Sequence, residues 1–481
     1  MNTASRMEST GVKNKIQISQ ATADLLAKAN KNWTVPREEK VVAKGKGSLQ
    51  TYWLKVPSKL ELDSTSRSDN TLGSNETRTT SLFRDPKAES SDSIPSSSTV
   101  DRGLPDNICR LVQWNVDILQ VRLKQIIAVR PAVKSKRSES AFKCDFELSD
   151  HCKPFDEIQE TLDFPCSRVD TATNDDRATV LPSQVFQQLH DYMTEIALAY
   201  NDNAFHSFQH ASHVTMSITK LQAHIAQSTD ESTIAKLVSQ PLAQFSIILA
   251  GLIHNVSHTG LSNSILIRDK HPIALKYGGK SVAEQNSFSV AWNLLMKQKY
   301  ADLRDCIFID KAEMLQFRSL LIRLVAATDI TDKDLSATRE ALWELAYGGD
   351  ASTSSLDCSD KAKLKATVVL ETLIQVSDIS HTMQHWHIFY HWNECSFREM
   401  YKAFLNGKLD KNPSLTWFEA ELEFYDRVVI PLATRMESCG VFGVSGVEYL
   451  NNAKSNRSEW AEKGEGLVQE YLKAFASSKS G

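Results

Sequence analysis

From Asp106 onward the apolar residues of this chain recur every three or four positions and nowhere alternate over any length. That period restricts most of the 481 residues to packed helices. Ile108, Leu111, Val112, Asn115, Leu119, Leu123, Ile126 and Ile127 fall on one stripe that Pro131 stops. Pro241 suits a first helical turn ahead of Leu242, Phe245, Ile248, Leu249, Leu252 and Ile253. This run is apolar on most sides, which predicts a buried helix that delivers His254 and Asn255 at its end. Ala366, Val369, Leu370, Leu373 and Val376 form another stripe ending at Asp378. The fold class expected is mainly all-α.

The first hundred residues differ. Lys15 to Ile18 alternates as a strand, Thr22 to Ala29 reads as a helix, and Thr51 to Val56 reads as a second strand. Two strands and one helix are too little for an independent core. Residues 58–104 are rich in Ser, Thr, Asp and Arg and bury too little apolar surface to offset their ordering entropy, which predicts a disordered tether. The organisation expected is an N-terminal piece at 1–57, the tether at 58–104, a connecting helix and basic loop (Lys134 to Arg137) at 105–149, and a helical domain at 150–475.

Composition excludes several classes. A net charge of −4 gives no footprint for nucleic acid. The longest apolar run, Leu242 to Ile253, falls short of the ~20 residues of a membrane span, so no transmembrane segment is expected. Eight cysteines without a CxxC pair read as reduced thiols of a cytoplasmic protein.

Two histidine motifs carry chemistry. His206 and His210, in Phe205-His206-Ser207-Phe208-Gln209-His210, are four apart and leave one helix face together. In His254-Asn255-Val256-Ser257-His258 the first two side chains diverge, which lets one segment reach two ions. Asp378 adds an oxygen donor from a distant helix. Imidazole and carboxylate suit Zn²⁺ beside a harder ion such as Mg²⁺ or Mn²⁺, a pair able to attack a phosphodiester. A histidine taken singly is more often a core or surface residue. His151, His190, His224 and His271 are read so, as are His381, His385, His387 and His391, whose spacing follows an amphipathic helix.

At these residues the C-terminal part resembles the catalytic domain of class I cyclic-nucleotide phosphodiesterases. The two motifs are followed in the family's order by Ser281-Val282-Ala283-Glu284, Ala327-Thr328-Asp329-Ile330, Ser377-Asp378-Ile379-Ser380, and Phe424-Tyr425-Asp426 with Ile430-Pro431-Leu432. The resemblance implies a helical domain with two divalent ions, Zn²⁺ and Mg²⁺, that hydrolyses cAMP or cGMP to the 5′-monophosphate. It implies His210, His254 and Asp378 as zinc ligands and His206 as the acid protonating the leaving O3′. It further implies His258 and Glu284 in the outer shell, and Glu421 and Phe424 at the purine. A homodimer is compatible with it.

Four residues depart from that pattern. Asn255 stands where the family has a bridging aspartate, which weakens the second metal position. Glu421 replaces a purine-binding glutamine and, ionised, only accepts hydrogen bonds. Ser287 replaces a histidine, and Ser207 an asparagine. Asn255 motivates an alternative: a pseudo-phosphodiesterase that binds or senses the nucleotide without turnover. A His-Asp phosphohydrolase acting on linear nucleotides is a third reading, but its tandem His-Asp doublet is missing.

The N-terminal piece resembles the last third of a class III nucleotide cyclase domain, through Met1 to Ser9, Lys15 to Ser19, Lys44 to Gly47 and Thr51 to Leu54. Asn2 and Arg6 match ribose and phosphate contacts, and Lys44 a triphosphate contact. The metal-binding aspartates of that family lie upstream of the match, so no cyclase activity is expected of this chain. Met1 falls inside the pattern, which points to a remnant or a truncated product. A longer parent would place the chain at the cytoplasmic face of a membrane.

Overall fold

The chain's contacts divide it into two compact units, Met1–Ile94 and Pro95–Gly481. The computed structural model describes residues 10, 15–28, 33–38, 41–43, 47–54, 103–129, 154–158, 162, 180–227, 233–348 and 357–478. The expected tether lies outside them except for its last two residues, as do the basic loop, Asn2, Arg6 and Lys44.

In the first unit, strands β1 (Ile16–Ser19), β2 (Thr34–Pro36) and β5 (Thr51–Leu54) form an antiparallel sheet in the order β1-β5-β2. Ile16 pairs with Leu54 and Thr34 also pairs with Leu54, so the aromatic strand is central. A hairpin of β3 (Val41–Ala43) and β4 (Gly47–Leu49) and helix α1 (Gln20–Lys28) complete it, giving more strands than the two expected. Among those of its residues whose burial is described, Ala23 and Thr51 alone are buried. Lys15 and Arg37 both lie over the Trp53 ring, covering it with cations instead of a packed layer.

The second unit is helical throughout its described residues. Helix α2 (Asp106–Ala128) buries Val112, Val116, Leu119, Leu123 and Ile126 in the same core as the helices that follow, so the expected connector belongs to this unit. Its Asn115 amide donates to Ser212 Oγ inside the core at 2.9 Å. Helix α3 (Ser183–Leu198) packs beside it. Helix α4 (Phe208–Gln227) packs on α5 (Pro241–Ile253). From Leu242 to Ile253 every residue of α5 is buried, as its unbroken apolar run requires. A Cβ on Gly251 would stand 2.7 Å from Ile218 Cδ1, so a larger residue there would have to displace the tip of that side chain for α5 to stay this near α4.

Around this pair stand α6 (Val282–Leu295), α7 (Lys311–Ala327), α8 (Lys333–Tyr347) and α9 (Cys358–Asp378). The α9 stripe Ala366, Val369, Leu370, Leu373 and Val376 is buried as the period predicts, and Asp357 caps its start by accepting from Asp360 N at 2.7 Å. Arg323 of α7 pairs with Glu371 of α9 in the interior, Nε to Oε1 at 2.8 Å. Helix α10 (Trp386–Leu405) leads to α11 (Trp417–Phe424). The helix then widens into one π turn, Tyr425–Val429, before α12 (Ile430–Ser438). The long α13 (Val444–Ser478) closes the unit. Its Asn456 donates to the carbonyls of Thr382 and Gln384, pinning the turn that follows Asp378.

Candidate metal centre and acid site

Two three-residue groups lie side by side, each with its donor atoms within 4.8 Å of one another: His210, His254 and Asp378, and His206, His258 and Glu399. They come from the bend before α4 and α4 itself, the end of α5 and the turn after it, the end of α9 and the middle of α10; His206 precedes the helix that carries His210, so the two do not share the helix face their spacing predicts.

In the first group, His210 Nε2 and His254 Nε2 each stand 3.1 Å from Asp378 Oδ1. His254 Nδ1 lies 2.9 Å from the Gly251 carbonyl, a contact that places a proton on Nδ1 and turns Nε2 toward Asp378. Both imidazoles are buried. Burial opposes the Asp378 carboxylate, but the adjoining His254 and the hydrogen bonds from both histidines outweigh it, and the carboxyl is held far below its usual range. Burial likewise opposes charge on His254, yet Asp378 raises its pKa, while His210 is lowered by burial. Two imidazole lone pairs and an anionic oxygen aimed at one point fit a divalent ion of the zinc type.

Asn255 is buried beside this group, with Nδ2 2.7 Å from His254 Nε2. Its amide offers one neutral oxygen. The fit of a second ion is therefore poorer than at a carboxylate.

The second group is built around His206. Glu399 Oε1 receives His206 Nδ1 at 2.5 Å, and Glu399 Oε2 accepts the backbone N–H groups of Phe205 and His206 at 2.8 and 3.1 Å. Burial would raise the Glu399 carboxyl, but the bonds from His206 and the two amides hold it down to about 2. His258 stacks on His206 with ring centres 3.8 Å apart. Ser257, at φ +58, turns the chain back so that His258 can reach this position, and its N–H and hydroxyl are both anchored on the Ala199 carbonyl. Gly260 N–H donates to His258 Nδ1, and Asn201 and Asn203 hold its carbonyl. Burial and the neighbouring His206 keep His258 well below its ordinary pKa, hence neutral.

The other expected residues sit farther out. Glu284 accepts from Asn263 at 2.9 Å and belongs to neither group; burial, with Asp329 beside it, pushes its carboxyl up to about 7. Glu421 and Phe424 are half-buried on one face of α11. Trp417 Nε1 donates to Asn393 Oδ1 at 3.1 Å, which orients the Asn393 amide with its N–H₂ toward Glu421. Burial, only partly offset by Asn393, pushes Glu421 up to about 7. Ser207 caps α4 by accepting from His210 N, and Ser287 donates to the Val256 and Ala283 carbonyls.

A second residue group also departs from expectation. His381, His385, His387 and His391 do not share a helix: His381 lies in the 3₁₀ turn Ser380–Met383, His385 precedes α10, and only the last two are on it. The buried His381 ring stands 5.5 Å from Phe205 and 6.1 Å from His210, forming a wall of the metal centre. Glu399 was not foreseen at all.

Residues 205–440 match the family described as 3′5′-cyclic nucleotide phosphodiesterase, and residues 1–56 match the adenylate and guanylate cyclase catalytic domain. The helical unit belongs to the cyclic nucleotide phosphodiesterase family. The probable 3′,5′-cyclic-AMP phosphodiesterase pde-4 of Caenorhabditis elegans is 26% identical over 249 residues, which are 50% of this chain and 35% of that protein. The cGMP-specific 3′,5′-cGMP phosphodiesterase 3 of Dictyostelium discoideum is 23% identical over 57% of this chain and 55% of its own. The solved phosphodiesterase domain of the RhoPDE fusion protein from the choanoflagellate Salpingoeca rosetta is 18% identical, with a TM-score of 0.47, covering 60% of this chain and 85% of that one. The chain thus spans 35% to 55% of the length of these two curated relatives. Helices α2, α3 and α13, which lie wholly or partly outside the matched residues, share one hydrophobic core with them.

Proposed function

We propose that the chain is a metal-dependent phosphodiesterase that hydrolyses 3′,5′-cyclic nucleotides to 5′-monophosphates. The observation that carries this reading is the convergence of His210, His254 and Asp378 on one point beside an imidazole already held by Glu399. A divalent ion held by those three residues would supply positive charge to the phosphoryl oxygens and to the attacking water. His206 Nε2, with Nδ1 fixed on Glu399, donates its proton to O3′ as the P–O3′ bond breaks. The water oxygen forms the new P–O bond as its proton passes to solvent, and the product leaves as the 5′-phosphate. Zn²⁺ fits the N₂O donor set, and Mg²⁺ or Mn²⁺ is assigned to the weaker position near Asn255.

Asn255 then sets the metal requirement. Asn255→Asp is expected to lower the Mg²⁺ or Mn²⁺ concentration for half-maximal turnover by at least roughly tenfold. An unchanged metal titration would remove Asn255 as the cause of weak binding.

Glu421 sets the base preference, with Phe424 stacking on the purine. Its raised carboxyl is protonated below about pH 7 and ionised above it. Protonated, it both donates and accepts, as adenine's N6–H₂ and ring nitrogen require. Ionised, it accepts only, as suits the adjacent N1–H and N2–H₂ of guanine. The test is turnover of cAMP and cGMP by the purified chain, with metal titrated, across pH 6 to 8. The ratio of kcat/KM for cGMP over cAMP is expected to rise by about tenfold or more through that range. In Glu421→Gln the ratio should stay flat. Failure to hydrolyse either nucleotide at any metal level would overturn the proposed activity.

A further inference from the structure

The outer face of helix α10 carries soft and borderline donors that the candidate centre does not use. His387, His391, Glu394 and Cys395 fall at i, i+4, i+7 and i+8, within about 100° of the helix circumference. Two of the donor atoms already stand together: His391 Nε2 lies 3.9 Å from Cys395 Sγ. Around a tetrahedral ion, with bonds of ~2.05 Å to nitrogen and ~2.3 Å to sulfur, such a pair sits about 3.6 Å apart. A small rotation of either side chain therefore brings both onto one ion. His387 and His391 are exposed, and Glu394 and Cys395 are half-buried. The other two donors are held only from the solvent side: His387 stacks on the exposed His385 at 6.1 Å, and Glu394 pairs with Arg398 at 3.7 Å, contacts that rearrange at little cost. A thiol–imidazole hydrogen bond accounts for the His391–Cys395 contact, but not for an imidazole one turn earlier and a carboxylate on the same face.

We propose that His391 and Cys395, completed by His387 and Glu394, form a further metal site for a borderline-soft divalent cation of the zinc class. Thiolate and imidazole select Zn²⁺ over Mg²⁺, which takes oxygen donors and keeps its waters. Burial and the adjoining Glu394 push the Cys395 thiol up to about 11, so the empty site holds the S–H form. As the sulfur–metal bond forms, that proton passes to solvent. The donors are separate from the His210, His254 and Asp378 group, yet close to it. The Trp392 ring packs against both, its centre 5.2 Å from that of His391 and 5.2 Å from that of His210. Cys395 also lies one turn before Glu399, which holds His206. An ion here ties together the two turns of α10 that lead to Glu399.

The test titrates the full chain, first stripped of metal by a chelator, with Co²⁺, which takes zinc sites and reports its ligands by absorption. A cysteine ligand gives a thiolate-to-cobalt charge-transfer band in the near ultraviolet. The nitrogen and oxygen donors of the His210 group cannot give one. The band is expected to appear, and added Zn²⁺ should abolish it by displacement. Cys395→Ser should remove it, while His391→Gln and His387→Ala should each raise the Co²⁺ concentration for half-saturation by at least about tenfold. Circular dichroism of each variant separates a lost ligand from a lost fold. On the unaltered chain, Zn²⁺ should slow alkylation of Cys395 by iodoacetamide, located by peptide mass, and chelator should restore it. A folded chain without the band, or a Cys395 alkylated equally with and without Zn²⁺, overturns the proposal and leaves the pair as a hydrogen bond. A band that survives Cys395→Ser overturns it by placing the ion on another cysteine. A band indifferent to both histidine variants also overturns it, since the thiol then binds metal by itself.

Discussion

His206→Ala is expected to lower kcat for cyclic-nucleotide hydrolysis by roughly 10²- to 10⁴-fold, the usual worth of a positioned general acid. KM should change far less, because the ring's work falls on bond cleavage. The reason lies in the geometry: one ring nitrogen is committed to Glu399 at 2.5 Å, which leaves the other for the proton transfer to O3′ proposed above. Glu399→Gln provides the internal comparison. It keeps the shape but removes the charge that orients the imidazole, so a smaller loss, about 10- to 100-fold, is expected together with a shifted pH profile. A leaving group that departs without protonation separates the two roles. With an activated aryl ester of a nucleoside monophosphate, His206→Ala should lose much of its effect, whereas Asp378→Ala should remain inactive. Equal losses on both substrates would assign His206 to the metal centre instead of to the proton.

The second large effect concerns stability. Arg323 and Glu371 are 4% and 9% exposed and pair at 2.8 Å. Burial pushes the Glu371 carboxyl up, and Arg323 and Arg339 oppose the shift. Glu371→Ala leaves a buried guanidinium without its carboxylate and should cost ~3–5 kcal/mol of unfolding free energy, read from urea denaturation. Replacing both residues by Met removes the desolvated charges together and should cost much less, by the same reasoning. The single variant should also reduce metal affinity, because Glu371 lies two turns before Asp378 on α9. A single variant as stable as the parent would show that water reaches the pair.

Periodicity made the helices readable, and it did so best where burial is complete. Leu242 to Ile253 and Ala366 to Val376 were both placed from spacing alone, since a stripe wider than one face can only be interior. In the first unit the β3–β4 hairpin escaped notice: strands of three residues carry too little alternation to register. In the site, the histidine pairs announced themselves by local spacing. Glu399 did not, standing 193 residues from His206 on a helix whose glutamates look like any solvated face. The misplaced His381 has a related cause. An i, i+4 interval implies a shared helix only if the helix is continuous, and this one is interrupted between Met383 and Trp386.

The π turn at Tyr425–Val429 has a bearing on how such sequences change over time. It holds one more residue than an α turn would, and that surplus sets the azimuth of everything before it. Loss of one residue there would restore regular winding yet swing Glu421 and Phe424 by about 100° relative to α12. Side chains at the exposed Arg427 can drift freely, whereas the number of residues between Phe424 and Ile430 cannot. Lineages that keep the purine contacts proposed for Glu421 and Phe424 should therefore show substitutions in this stretch and no insertions or deletions.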